Sequence, residues 1–416
     1  MKIIHVSTGI QRIPPDRAGG PERHLTLLSR QLARTGHDVT IVDRRRGPAD
    51  PPAGLYDGVR IVRLAAPWLP ASWLESRVPL LPWVRSGLNT VLFTLSVHKY
   101  LGQASEFDVV NVHVISSAFL LAVLGRRIRA KLIYNHHAAF WPSVTGGLVG
   151  ALLSVLGRFT MRRVRAVIVL NDTVRDYFLT RYGLPAPKVV TLPSGVDTTF
   201  FYPDASTDNF GARHHLEGRR IVLFVGRINP IKGVECLVRA ANIVVNQFGR
   251  RDVVFLLVGP FENVEVNRAG AYTARLVRLI KDFHLEDVVR LAGEAPFEEL
   301  RHLYLAADLF VLPSVAEQFP LVALEAMAAG TPVVATRTPW AQMSIREGWN
   351  GMLVDVGDAG ALAEKIRHVL DSPDEARRMG ANAREFAREF DWAQVAREYA
   401  VVYAADTAAM PTLASS

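Results

Sequence analysis

Short apolar runs alternate with helical stretches along almost the whole chain. The runs read as strands at Lys2–Ser7, Asp38–Val42, Val59–Leu64, Asp108–Val114, Lys131–Asn135, Ala166–Leu170 and Lys188–Leu192. A second series follows at Arg220–Val225, Val253–Val258, Val288–Ala292, Leu309–Leu312, Pro332–Ala335 and Gly351–Val354. Amphipathic or apolar segments such as Pro21–Thr35, Val234–Phe248 and Ala361–Leu370 lie between most of them. This alternation predicts parallel sheets with helices on both faces. Two such series predict two doubly wound α/β domains. The first ends in a Pro/Gly turn, PSGVDTTFFYP, and a polar segment over Asp204–Gly218 precedes the second. We therefore place the domains at residues 1–197 and 198–390. Trp392, Val395, Ala396 and Tyr399 recur at helical spacing near the end, so residues 391–405 read as a last helix and 406–416 as a frayed tail.

Composition narrows the picture. A chain of 416 residues is long enough for two domains of about 200 residues each. Hydrophobic residues at 49% and charged residues at 21% exclude a largely disordered chain. Cys236 is the single cysteine, which excludes an intramolecular disulfide and a zinc site built on several thiolates. The net charge of +8 is uneven: residues 1–200 carry 25 Lys+Arg against 12 Asp+Glu, and the rest 23 against 28. A basic front half fits an anionic partner such as a membrane surface or nucleic acid, and it equally fits an arginine-rich proteome. The opening MKIIHVSTGI reads as a first strand and not as a signal peptide, and no apolar run reaches the roughly 18 residues that span a bilayer.

In open α/β sheets ligands bind beyond the carboxyl ends of the strands. Unusual residues collect in those loops here. AGGPERH, Ala18–His24, follows the first strand: adjacent glycines admit close backbone approach, and a helix opening at Pro21 offers free amides to phosphate. A simple tight turn would use the same glycines. GRINPIKG, Gly226–Gly233, sets Arg227 and Lys232 at a strand edge, where a guanidinium fork and an ammonium suit a diphosphate. PSVAEQFPLVALEAMAAGTPVVAT, Pro313–Thr336, holds Glu317 in a loop and Glu325 eight residues on. Pro320 suits a first helical turn, which puts Glu325 about one and a half turns in. A carboxylate can accept two sugar hydroxyls, and free helix amides can bind phosphate between the two acids. A buried, hydrogen-bonded acid is the plain alternative for Glu325. Histidines follow two strands, His113 in DVVNVHV and His136 and His137 in KLIYNHHAAF, where structural roles are common.

The combination of GGPERH, GRINPIKG and the E-x7-E of the Pro313–Thr336 segment resembles the GT-B glycosyltransferases of family 4, and PSGVDTTFFYP is similar to that family's domain junction. The resemblance implies two Rossmann-like domains facing across a cleft, an acceptor-binding domain first and a nucleotide-sugar domain second, with the last helix crossing back to the first. It implies a retaining, metal-independent hexosyltransferase that needs no cofactor beyond its nucleotide diphosphate sugar. No Asp-x-Asp occurs in the chain, and no metal site is expected. On the matching positions, Arg227, Lys232, Glu317 and His137 are implied as catalytic. Gly20, Phe319, Pro320, Leu321 and Glu325 join Arg227, Lys232 and Glu317 in donor binding, and Gly19, Glu22, His24, His113 and His136 lie on the acceptor side. Arg227 and Lys232 would hold the diphosphate and stabilise it as it leaves. Glu317 would take donor-sugar hydroxyls and Glu325 the ribose. His137 would orient the sugar, with His136 the alternative if the register slips by one. A front-face mechanism requires no glutamate nucleophile. The usual Glu-Gly-Phe-Gly is here Glu317-Gln318-Phe319-Pro320, which removes one backbone donor to phosphate.

Two further stretches combine apolar residues, tryptophan and arginine: PWLPASWLESRVPLLPWVRSGLNTVLF, with Trp68, Trp73, Trp83, Arg77 and Arg85, and GGLVGALLSVLGRFTMRRVR, with Arg158, Arg162, Arg163 and Arg165. They suit a bilayer interface, and equally suit packed helices. The expectation is a cytoplasmic enzyme held peripherally on the inner, anionic face of the plasma membrane. It would act on a lipid-linked or cell-envelope glycan, with no nucleic-acid partner. A sugar-nucleotide epimerase of the same fold, or a basic membrane- or nucleic-acid-binding protein with an inactive cleft, is the alternative. A nicotinamide-dependent oxidoreductase is excluded because no G-x-G occurs. No convincing pyridoxal lysine marks a phosphorylase.

Overall fold

The computed structural model describes residues 1–15, 20–69, 81–104, 106–137, 147–202, 216, 218–261 and 269–405. Gly19, Trp73, Arg77 and the side chain of Trp83 lie outside the described set. The chain forms two compact units, Met1–Ser194 with Trp392–Ser416, and Gly195–Asp391.

In the first unit the elements run β1 (Lys2–Val6), α1 (Gly20–Arg34), β2 (Asp38–Arg44), β3 (Ala53–Tyr56), β4 (Val59–Leu64), α2 (Leu81–Gln103), β5 (Val109–Val112), α3 (Ile115–Leu124), α4 (Arg126–Arg129), β6 (Leu132–Asn135), α5 (Gly147–Arg163), β7 (Ala166–Val169), α6 (Asp172–Tyr182) and β8 (Val189–Thr191). The second continues with β9 (Arg220–Val225), α7 (Val234–Asn242), β10 (Val253–Val258), α8 (Ala269–Asp282), β11 (Val289–Gly293), α9 (Phe297–Ala306), β12 (Leu309–Leu312), α10 (Leu321–Ala329), β13 (Val333–Thr336), α11 (Pro339–Ser344), β14 (Met352–Val354), α12 (Ala359–Asp371) and α13 (Pro373–Arg388). Helix α14 (Trp392–Ala404) belongs to the first unit.

The first sheet has the order β3-β4-β2-β1-β5-β6-β7-β8, and the second β11-β10-β9-β12-β13-β14. All pairings are parallel except β3 with β4. These are the two doubly wound domains that the strand–helix alternation predicts. Strand β3 is an addition to that expectation, and all four of its residues are exposed. An antiparallel edge strand with no buried face leaves no hydrophobic signature.

Within each central strand, successive side chains enter different cores. Val110 and Leu132 pack under α2, α3, α5 and α6, while Val109 and Ile133 pack under α1 and α14. Trp392, Val395, Tyr399 and Tyr403 of α14 lie in that second cluster. The chain leaves the first unit at Ser194, slightly before the expected boundary at 197. Val196 already bridges Asp391, and its amide donates to Phe390 O at 2.8 Å, so Asp391 stays with the second unit and α14 starts at Trp392.

Candidate active site

In the second unit the loop after β9 is shaped by close backbone contacts. A Cβ on Gly259 would lie 1.9 Å from Gly226 O, and one on Gly233 would lie 1.9 Å from Pro313 O. Only glycine lets these loops touch. Asn229 caps the short turn Pro230–Lys232 by accepting from Lys232 N at 3.1 Å. Val315 N donates to Ile231 O at 2.8 Å, joining this loop to the one after β12. Across that junction Lys232 Nζ and Glu317 Oε1 form an ion pair at 2.5 Å, with side chains 20% and 9% exposed. Ser314 Oγ donates to the same carboxylate oxygen at 2.7 Å. The ammonium has three donors and commits one to Glu317. Arg227 is exposed, and its guanidinium has no partner among the described residues.

Residues 313–329 show one correction. Pro320 is not in the first turn of α10 but at its N-cap, with φ −80° and ψ 97°. Its carbonyl accepts from Ala323 at 3.0 Å, and Leu321 opens the helix. Glu325 is therefore only just over one turn in, at about 3.6 residues per turn; it is 3% exposed, and its Oε2 accepts from Tyr304 Oη of α9 at 3.0 Å. Phe319 sets its ring 6.3 Å from Trp340 and 5.9 Å from Phe390, which anchors the loop to the core.

In the first unit, Gly20 opens α1 and is exposed, with nothing crowding its Cβ position. Glu22 is buried and accepts from Thr8 Oγ1 at 2.5 Å, tying α1 to the loop after β1. His24 Nδ1 lies 2.7 Å from Ser194 Oγ. His113 and His137 stack at 5.0 Å between ring centres, with His113 Nδ1 and His137 Nε2 2.8 Å apart. His24 meets His137 edge-on at 4.6 Å. His136 is separated from this group: its Nδ1 lies 2.9 Å from Tyr134 Oη, and its ring packs on Phe178. Strand alternation explains the split. Tyr134 and His136 face the core under α6, whereas Asn135 and His137 face α1 and α14.

That second face also carries a group of polar residues beyond those expected from the sequence. His5 pairs in register with Asn111. Asn111 contacts Tyr403 Oη, Asn135 donates to Tyr399 Oη at 3.0 Å, and His5 Nδ1 lies 2.9 Å from Ser29 Oγ. The available signal was a polar residue in the same alternation phase of three apolar strands: His5 in KIIHV, Asn111 in VVNV and Asn135 in LIYN.

Burial holds His5 and His137 down to about 3, and His24 and His113 well below the ordinary 6.5. These imidazoles stay neutral in the fold while the unfolded chain takes up their protons below about pH 6.5. Stability is therefore expected to fall as pH drops from 6.5 toward 3, by up to about 1.4 kcal/mol per pH unit for each histidine. Above 6.5 they add no pH dependence. Melting temperatures across this range check it, and a flat profile on the acid side would contradict it.

Among the described residues no cluster of His, Cys, Asp or Glu is placed to hold a metal ion. Likewise, no helix there is long and apolar enough to cross a membrane.

Known proteins match both units. The family model for Glycosyltransferase Family 4 matches residues 18–200, and that for Glycosyl transferases group 1 matches 206–386. D-inositol 3-phosphate glycosyltransferase of Thermobispora bispora is 31% identical over 398 residues, covering 93% of this chain and 90% of its own. The protein of that name from Kineococcus radiotolerans is 30% identical with the same coverage. Sucrose-phosphate synthase from Thermosynechococcus elongatus superposes with a TM-score of 0.80 at 25% identity, over 97% of this chain and 98% of its own. Anabaena HepE in complex with UDP-glucose shares the fold, with a TM-score of 0.74 at 19% identity over 96% and 98%. The chain belongs to the family 4 glycosyltransferases, with the GT-B fold.

Proposed function

We propose that this glycosyltransferase moves a hexose from a nucleotide diphosphate sugar to an acceptor hydroxyl, retaining the anomeric configuration and using no metal ion. The observation that carries the reading is the Lys232–Glu317 pair at 2.5 Å at the carboxyl edge of the second sheet, in the same loop as Arg227, which has no side-chain partner among the described residues. Arg227 and Lys232 neutralise the diphosphate as the glycosidic bond breaks, the kind of charge stabilisation that dominates many catalysed steps. Glu317 holds Lys232 through Oε1 and turns its remaining oxygen to the sugar hydroxyls. Glu325, oriented by Tyr304, serves the ribose. His137, fixed against His113, orients the donor sugar.

The donor class has support in HepE, whose structure holds UDP-glucose, and in the starch synthase catalytic domain from Arabidopsis thaliana, bound to ADP and acarbose. Two acceptors follow from different observations. The relatives named for D-inositol 3-phosphate favour a phosphorylated polyol. The apolar, arginine-bearing helices favour a lipid-linked glycan at the inner face of the plasma membrane, reached from the cytoplasm.

A thermal-shift panel of nucleoside diphosphates tests the donor site. One base at a hundred times its Kd should stabilise by about 2.7 kcal/mol. No response to any of them would remove the reading. Product analysis with the preferred donor then compares inositol phosphate with lipid extracts. An inverted anomeric centre, or activity abolished by a chelator, would overturn the retaining or metal-free assignment.

A further inference from the structure

Helices α2 to α5 pack side by side over the first sheet. Phe93, Val97 and Leu101 turn α2 into the core. Its opposite side carries Leu88 and Leu95, 46% and 44% exposed, beside the exposed Lys99. Exposed aliphatic side chains beside a cation suit a helix that lies at an interface. Thr94 and Ser117 join α2 to α3 at 2.9 Å, and the Phe119 and Phe159 rings join α3 to α5 at 5.8 Å. The neighbouring helices add Val123 and Leu124, both exposed, and Val155, 65% exposed.

Charge on this layer is of one sign. None of the four helices contains an aspartate or glutamate. Lys99, Arg126, Arg127, Arg158 and Arg162 are exposed and have no carboxylate partner among the described residues. Helices of the second unit do carry acids that pair with their surface cations, as in Arg239–Glu235, Arg367–Glu364 and Arg377–Asp374. Trp68 does not add to the face, since the Arg44 guanidinium stacks on its ring at 3.4 Å.

We infer that the outward side of α2–α5 docks on an anionic phospholipid surface. Unpaired cations suit anionic headgroups, and the leucines and valines between them suit the acyl boundary beneath. A second copy presenting the same face would bring like charges together, which disfavours a symmetric dimer. Exposed aliphatic side chains have no role against a phosphate backbone, which disfavours nucleic acid. The docking takes its purpose from the proposed lipid-linked acceptor, but binding is read without turnover.

The test is co-sedimentation of the full chain at low salt with phosphatidylglycerol vesicles and with phosphatidylcholine vesicles. Binding is expected to the first and not the second, and to weaken as salt rises. Arg126→Glu, Arg127→Glu and Arg162→Glu together should lower partition by roughly 100-fold or more. Leu95→Ser with Val155→Ser should lower it too. Nucleoside diphosphate thermal shifts should stay unchanged in every variant, which separates lost docking from lost fold. Wild type left in the supernatant, equal binding by the charge-reversed chain, or binding to nucleic acid or self-association in place of vesicles would each overturn the inference. Vesicle binding without any nucleotide response would leave docking standing and remove the donor-site reading.

Discussion

Alanine at Arg227 is expected to cut turnover by about 100- to 1,000-fold, the scale seen when one donor to developing negative charge is removed. The melting temperature should not move, because the side chain is exposed and has no partner among the described residues. Lys232→Ala should lower turnover comparably but also cost stability. It strands Glu317, which is 9% exposed and would keep only Ser314 on that oxygen. Leaving a buried acceptor short of its partner costs about 1–3 kcal/mol. Turnover and urea denaturation on the same preparations separate the two. Normal turnover by Arg227→Ala would show that the diphosphate does not sit at this edge. An unchanged unfolding midpoint for Lys232→Ala would show that the ion pair does not brace the loops.

Gly233→Ala should be among the most damaging single substitutions in the second unit. Gly233 has φ +65°, which costs a residue with a Cβ about 1–2 kcal/mol. The new carbon would also meet Pro313 O at 1.9 Å, and that neighbour is backbone, which cannot swing aside. Together these should exceed about 3 kcal/mol. The shift would move Lys232 and Glu317 apart, so turnover should fall even in the folded fraction. Gly249→Ala is the control. Its φ is +73° but nothing lies within 4 Å of the Cβ position, so only the conformational cost of about 1–2 kcal/mol applies. Equal losses for the two variants by denaturant titration would remove the claim that loop contact, and not backbone angle, governs this position.

Much of this protein was determined by local pattern alone. The central strands are short apolar runs with both faces covered, so their existence and parallel character follow from periodicity and turn chemistry. The Gly233 signal was also present in GRINPIKG, as a glycine directly after the lysine of a strand-edge loop. Tertiary structure decided the rest. Which of His136 and His137 joins His113 depends on which face of β6 each side chain takes, a question of register that a pair of adjacent histidines leaves open. The Lys232–Glu317 bond joins groups 85 residues apart, and the Glu325–Tyr304 bond lies inside a core. Strand β3 owes its place to edge pairing with β4. Local sequence carries hydrophobic period and backbone preference. Charge pairing, burial of polar groups and the facing of loops arise only when distant segments are packed together, because each depends on what the other segment presents.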